Sequence, residues 1–254
     1  MAHLGKKSAF ISKLPDNELG VLAYDTCAAY GVDMSHVKMV PNTRMGMNFL
    51  EFSSTPRVGV TIFDRRGSAA STISADDFDW QAITLQTRIA HTDGIVPGLS
   101  VGCREATLAY LQAAKAAGCI TSFDVNYREH LWNEATALEC WKTLLPLVDI
   151  VVTSRSVSEA VFGFSGTDAD IMKAYHDQFG HKLVCLTQRE IMGVLQGAWS
   201  SQSLMKVKLQ KAVVTNLMWL IGSGQAMHSL LVFCMATSKA IHSSRSILVT
   251  LPVL

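Results

Sequence analysis

The hydrophobic pattern changes period along the chain, and the changes divide it. Before Gly31, apolar residues recur at helical spacing, at Leu19, Leu22, Ala23, Cys27 and Tyr30. Asp16 precedes this run as a helix cap, and Gly31 suits the left-handed position that closes one. From Val37 to Ser71 the period shortens to two. NFLEF and GVTIF, separated by Ser53-Ser54-Thr55-Pro56, predict a β-hairpin with one polar face, forming a small sheet apart from the main one. Arg65 and Arg66 follow it directly, and Gly67-Ser68-Ala69-Ala70 makes a tight turn of small residues.

From Thr84 onward, short apolar runs alternate with helical ones, as βαβ units require. Thr87–His91 is a strand leading into Thr92-Asp93-Gly94, and Arg104–Ala117 is a helix closed by Gly118. Cys119–Phe123 is the next strand, Glu134–Leu147 a helix, and Asp149–Thr153 a buried parallel strand. Ser158–Phe162 and Asp168–Phe179 read as helices, and Lys182–Thr187 as a strand. After about Glu190 the grammar stops. Gly193–Lys211 shows neither period, and such a break inside one sheet is a conflict between local and global pattern.

Composition narrows the class. The chain has 254 residues, 49% of them apolar, which suits one α/β domain with a packed core. A net charge of +1 gives no electrostatic ground for a nucleic-acid partner. Cys27, Cys103, Cys119, Cys140, Cys185 and Cys234 are scattered without a CxxC pair, so reduced cysteines, no metal site and a cytoplasmic location are expected. The N-terminus lacks the apolar core of a signal peptide. Between Lys211 and Lys239 there is no Asp, Glu, Lys or Arg, a length that could span a bilayer. Asn216, Ser223, Gln225, His228 and Ser229 interrupt it and glycines break its middle, so no membrane partner is expected.

The chemistry gathers in CITSFDVNYREHLW, Cys119–Trp132. A short buried strand ends there in Asp124, Asn126, Tyr127 and Arg128. Ligands of open parallel sheets bind outside the carboxyl ends of the strands, so this group suggests a polar small-molecule site. An Asp–Arg pair that caps the following helix is an equally good reading of the spacing. His91 reads as a satisfied strand-end residue rather than a catalyst.

Taken together, LPDNELG (Leu14–Gly20), GVDMSHV (Gly31–Val37), RMGMNFLEF (Arg44–Phe52), DRRGSAAS (Asp64–Ser71), HTDGIVPGLS (His91–Ser100), FDVNYREHLW (Phe123–Trp132) and LLPLVDIV (Leu144–Val151) resemble the PfkB, or ribokinase-like, carbohydrate kinases, and within them the 2-keto-3-deoxygluconate kinase branch. The resemblance covers about the first three quarters of the chain. It implies a Rossmann-like three-layer α/β/α ribokinase-type domain over residues 1–190, with a small β lid at about 37–71. It also implies transfer of the γ-phosphate of ATP, with Mg²⁺, to a hydroxyl of a sugar acid such as 2-keto-3-deoxygluconate. Arg65 matches a lid residue that contacts an acidic sugar, and Arg128 a residue of the substrate site, with Asp124 and Asn126 beside it. Two guanidinium groups suit a carboxylate ligand, although a solvated basic turn is the competing account of Arg65 and Arg66. Asn48 stands where these kinases often carry a sugar-contacting tyrosine. A homo-oligomer, with the lid contributing, stays open.

Three departures from the family pattern bear on mechanism. The chain begins where the family's first helix ends, so a central strand and a Gly-Gly sugar-binding segment are expected to be missing. The family's Asn-x-x-Glu motif falls on Ser154 and Val157, and Val157 cannot order metal-bound water. Its Gly-Ala-Gly-Asp signature, which binds phosphate and supplies the base, falls on Gly222-Ser223-Gly224-Gln225. Gly222, Ser223 and Gly224 would form a weakened anion site, whereas Gln225 has no carboxylate to take a proton. The fold is thus expected to be incomplete at both ends, with 191–254 an aberrant segment and an inactive remnant as the alternative function. Codons for Asn216–Ser238 exist that, read two nucleotides out of phase, give Phe-Asp-Val-Val-Asp-Arg-Ile-Gly-Ala-Gly-Asp-Ala-Phe, a full family signature. A frame slip near Glu190 is the resulting expectation, and gene codons that do not yield this peptide would remove it.

Overall fold

The computed structural model describes Ala2 and residues 5–51, 60–191, 196–205, 208–211, 215–218 and 247–251, with side chains up to Gln188 and over 200–204. Gly222–Gln225, Cys234 and the hairpin turn Ser53–Pro56 lie outside the described residues. The chain divides into two compact units, one made of residues 1–53, 59–148 and 245–254, the other of 54–58 and 149–244.

The first unit opens with β1 (Lys7–Pro15), α1 (Glu18–Ala29) and β2 (Val32–Val40). The α1 cap is Asn17 rather than Asp16, because Asn17 has extended backbone and its Oδ1 accepts the Leu19 and Gly20 N–H groups. Asp16 instead donates its backbone N–H to Val40. Gly31 has the left-handed φ of +77° expected of it. The predicted apolar face of α1 is not covered: Leu19, Leu22 and Tyr30 are each half exposed or more. Helical period fixes which residues share a face, not whether another element lies against it.

Next come β3 (Met47–Leu50) and β4 (Thr61–Asp64), an antiparallel pair that stands as its own small sheet. Val37–Val40 belong to β2 in the main sheet, so the separate sheet is narrower than the sequence pattern suggests. α2 (Trp80–Leu85), β5 (Ile89–Asp93), α3 (Val96–Leu99), α4 (Val101–Ala116), β6 (Ile120–Asp124) and α5 (Glu134–Leu144) complete the alternating run. α4 starts three residues earlier than its apolar period shows, because Ser100 Oγ accepts the Cys103 N–H and caps it. α5 gives way at Leu145 to a single tighter turn containing Pro146, which cannot continue the helical bonding.

Within this unit the sheet order is β6, β5, β12, β1, β2, where β12 is Ile247–Leu251, and every pairing is parallel. β12 lies between β5 and β1, so the central place expected to be vacant is filled from the far end of the chain. Strands buried on both faces read as continuous apolar runs, and Ile11, Phe123 and Val125 are fully buried. On α4 and α5, Tyr110, Leu111, Trp141 and Leu144 are also fully buried; each large side chain so removed from water contributes about 1.5–3 kcal/mol.

The second unit holds β7 (Ile150–Ser154), α6 (Arg155–Phe162), α7 (Asp168–Phe179), β8 (Leu183–Ile191), β9 (Gln196–Met205), β10 (Lys208–Lys211) and β11 (Thr215–Met218). β7 and β8 are parallel, whereas β9 runs antiparallel to β8, β10 and β11. Within the stretch that shows neither period in sequence, Gln196–Met205 and Lys208–Lys211 are strands; their order comes from backbone pairing and not from alternating apolarity. Asp168 fastens this unit, accepting from Arg155, Gln188 and Gln202. Among the described residues no helix is long and apolar enough to cross a membrane.

His91, on β5, is buried with Nδ1 3.1 Å from Ser122 Oγ. Burial pushes its pKa down to about 4, so the native state holds it neutral. The unfolded chain protonates near pH 6.5, so stability is full above that value and is lost as pH falls toward 4, by about 3 kcal/mol. Urea midpoints at pH 7 and 4.5 should differ more for the native chain than for His91→Gln; equal differences would contradict this.

Candidate functional site

β5 and β6 are neighbouring parallel strands in register, and each ends in a carboxylate: Asp93 pairs with Asp124. The ends are locked together by the Gly94 N–H, which donates to the Asp124 carbonyl at 2.8 Å. Asp93 Oδ1 accepts from the N–H groups of Ile95 (3.1 Å) and Val96 (3.3 Å), which open α3. After β6 the chain turns sharply. Asn126 adopts a left-handed φ of +35°, its N–H donates to Asp124 Oδ1 at 3.1 Å, and its side-chain amide reaches Asp93 Oδ2 at 3.4 Å. Asparagine tolerates that backbone better than most side chains, and such outliers gather at functional sites.

The turn is held from below by aromatic packing. Tyr127 Oη donates to the Trp132 carbonyl, and the rings of Tyr127 and Trp132 each meet Trp141 edge-on. Arg128 emerges from this platform with its Nη1 donating to the Tyr127 carbonyl at 3.3 Å, while its buried Nε has no partner. A buried guanidinium N–H without an acceptor is costly unless a ligand supplies one.

The small sheet contributes the other cation. Arg65 follows β4, is 9% exposed, and lies over the Phe63 ring at 4.2 Å. Arg44 pairs both its terminal nitrogens with the Asp64 carboxylate, at 2.6 and 2.8 Å, and so fixes the base of the hairpin. Arg66 is exposed, yet its Nη2 donates to the Leu131 carbonyl at 2.7 Å, which ties the hairpin to the loop bearing Arg128. The reading of Arg66 as only a solvated turn residue is therefore incomplete. Asn48 sits on β3 opposite Phe63 with its side chain exposed.

Electrostatics bind the group together. Burial, and then the charge of Arg128, lower the Arg65 pKa, while Asp93 opposes them. Burial raises Asp93 against its bonds from Val96, Ile95 and Asn126. Burial and the adjacent Asp93 push Asp124 up to about 7. Arg65 is buried, and Asp93, Asp124, Asn126 and Arg128 are partly exposed. Two guanidiniums, two carboxylates and one amide around one strand end can take a carboxylate and several hydroxyls at once.

The sequence profile of the pfkB family carbohydrate kinases matches residues 1–244. The chain belongs to this family. It is similar to the 2-dehydro-3-deoxygalactonokinase of Haloferax volcanii, 32% identical over 189 residues that cover 74% of this chain and 59% of that protein. It is also similar to a 5-dehydro-2-deoxygluconokinase of Clostridium perfringens, 29% identical over 191 residues covering 73% of this chain and 55% of that one. Among solved structures, the 2-dehydro-3-deoxygluconokinase of Thermotoga maritima matches with a TM-score of 0.87 and 25% identity, over 96% of this chain and 75% of its own. The fold is thus the ribokinase-like α/β fold of pfkB kinases. The chain spans little more than half the length of the curated relatives it matches.

In this pfkB chain the structure brings Arg65, Asp124, Asn126 and Arg128 together, as their motifs suggest, and adds Asp93. Asp93 was not singled out in the sequence because His-Thr-Asp-Gly reads as a turn. The available signal was that two consecutive buried strands both close on aspartate. At the start of α6 the side chains are Ser154, Arg155, Ser156 and Val157, and Ser154 Oγ caps the helix by accepting the Val157 N–H. Hydroxyls, a guanidinium and an isopropyl group do not suit a hard divalent cation such as Mg²⁺. Among the described residues no cluster could hold a metal ion.

Proposed function

We propose that this chain is a pfkB-type carbohydrate kinase for a sugar acid of the 2-keto-3-deoxygluconate kind, with ATP as phosphoryl donor and the metal arriving with the nucleotide. The observation that carries the reading is the convergence of Arg65 and Arg128 on one strand end, with the buried Nε of Arg128 lacking an acceptor. On this reading the two guanidiniums clamp the carboxylate, Asn126 and Asp93 orient hydroxyls, and Asn48 faces the sugar from the lid. The relatives are kinases of dehydro-deoxy sugars by name, which supports the substrate class and lends no support to an inactive remnant.

The division at about Glu190 and the anion site at Gly222–Gly224 belong to the same proposal. So does the absence of a base, since Gln225 stands at the position the family gives to aspartate. An amide cannot accept the hydroxyl proton, and loss of a general base lowers rates by about 10²–10⁴-fold. An ATP-coupled assay with 2-keto-3-deoxygluconate should therefore show slow, ATP-dependent phosphorylation. No product at enzyme concentrations matching the substrate would overturn the kinase reading; ordinary turnover would overturn the role given to position 225.

A further inference from the structure

The site holds two carboxylates in register on adjacent strands, and this arrangement bears on how it takes an anion. The charged groups facing Asp124 are Asp93 from β5 and Arg128 from the loop after β6. Those facing Asp93 are Arg128 and, from the end of the lid, Arg65. With every group ionised, the two cations and two anions cancel. A bound sugar carboxylate then leaves one uncompensated negative charge among partly desolvated groups, which is unfavourable. Uptake of a single proton removes it.

We propose that Asp93 and Asp124, side by side on adjacent strands, act as an electrostatically coupled pair that sets specificity for an acidic sugar: binding of the carboxylate is coupled to uptake of one proton by Asp124. The inference rests on the sugar-acid reading of this site. The proton comes from solvent and adds to Asp124 Oδ2, because Oδ1 already accepts the Asn126 N–H. Asp93 is the less suited acceptor, since its Oδ1 takes two backbone N–H groups and its Oδ2 faces the Asn126 amide. With Asp124 neutral, the charge of Arg128 is left to the ligand, and its buried Nε already lacks a protein acceptor. A neutral sugar brings no charge and needs no proton. The upward shift of Asp124 by burial and by its neighbour agrees with this assignment.

Calorimetry of the full chain with 2-keto-3-deoxygluconate at pH 8, in phosphate and in Tris, measures the protons taken up. Uptake should approach one per sugar bound, and Kd should weaken about tenfold per pH unit above neutrality. Asp124→Asn keeps the Oδ1 acceptor but cannot gain a proton. It should bind at pH 8 as tightly as the native chain does at pH 6, without proton uptake. Native binding with no uptake, or an Asp124→Asn chain with unchanged pH dependence, would overturn the proposal. Carboxyl carbon NMR of the unliganded native chain tests the pair without any ligand or variant. Asp124 should titrate well above the ordinary range near 4, and titration of both aspartates near 4 would overturn the coupling. An elevated titration together with no binding of the sugar acid at any pH would instead refute the sugar-acid reading.

Discussion

Gly94→Ala unfolds the chain at markedly lower temperature and urea concentration than any other single methyl added at the site. A Cβ at residue 94 would lie 2.0 Å from the Val125 carbonyl oxygen and 3.0 Å from its carbon, with Trp141 Cζ2 at 3.2 Å. Those first two atoms are backbone, held by the register of β5 with β6, so neither rotates away. Relief requires the strand ends to part, which removes the 2.8 Å bond from the Gly94 N–H to Asp124. Overpacking against backbone together with that lost bond is worth about 3–5 kcal/mol, and Tm should fall by roughly 6–15 °C. The control is Gly180→Ala, where φ is +77° but nothing lies within 4 Å of the new methyl. It meets only backbone strain, about 1 kcal/mol. Equal losses for the two variants would show that the close approach at residue 94 does not govern stability.

That contrast also marks how far the sequence could be read. Turn glycines and caps are local, so Gly31, Gly118 and the start of α7 at Thr167 follow from a few residues each. The alternating run from β5 to β7 was legible for the same reason: each strand is a short apolar block and each helix has its own period. β1 was not, because a strand buried on both faces shows no alternation and Ser12 and Lys13 interrupt its apolar run. The coverage of α1 was not legible either, since exposure of Leu19 and Leu22 depends on which element lies nearby. β9 to β11 were hidden because pairing, not side-chain period, makes them strands.

The site divides along the same line. Asp124, Asn126 and Arg128 stand within five residues, so a single loop reveals them. Arg65 and Asp93 join this group only through tertiary structure, one from the end of a hairpin and one from strand register. Sequence spacing left two accounts of the Asp and Arg, a ligand site or a helix cap. The α5 cap is in fact Asn133, whose Oδ1 accepts the Thr136 N–H, which leaves Asp124 and Arg128 free of that task.

If Arg128 is the carboxylate clamp, Arg128→Met should separate acidic from neutral sugars. Methionine keeps most of the apolar stem while removing the charge and the fork of donors. A charge-assisted pair is worth about 1.5–3 kcal/mol, so affinity for 2-keto-3-deoxygluconate should drop about 10–150-fold. Affinity for a neutral ketose should change little, because no carboxylate is lost from its contacts. Arg128→Lys should recover only part of the loss, since an ammonium is a point charge without the planar fork. The chain should stay folded with a modest loss of stability at neutral pH, because the Nη1 bond to the Tyr127 carbonyl and a cation facing Asp93 and Asp124 are removed, while the buried Nε has no protein partner to orphan. Asp93 and Asp124 then keep their protons to higher pH, as the nearest cation facing both is gone. Binding isotherms for the acidic and neutral sugars, run beside a thermal melt, measure all of this together. Parallel losses for both sugars, with the melt still cooperative, would place Arg128 at a sugar hydroxyl instead of the carboxylate.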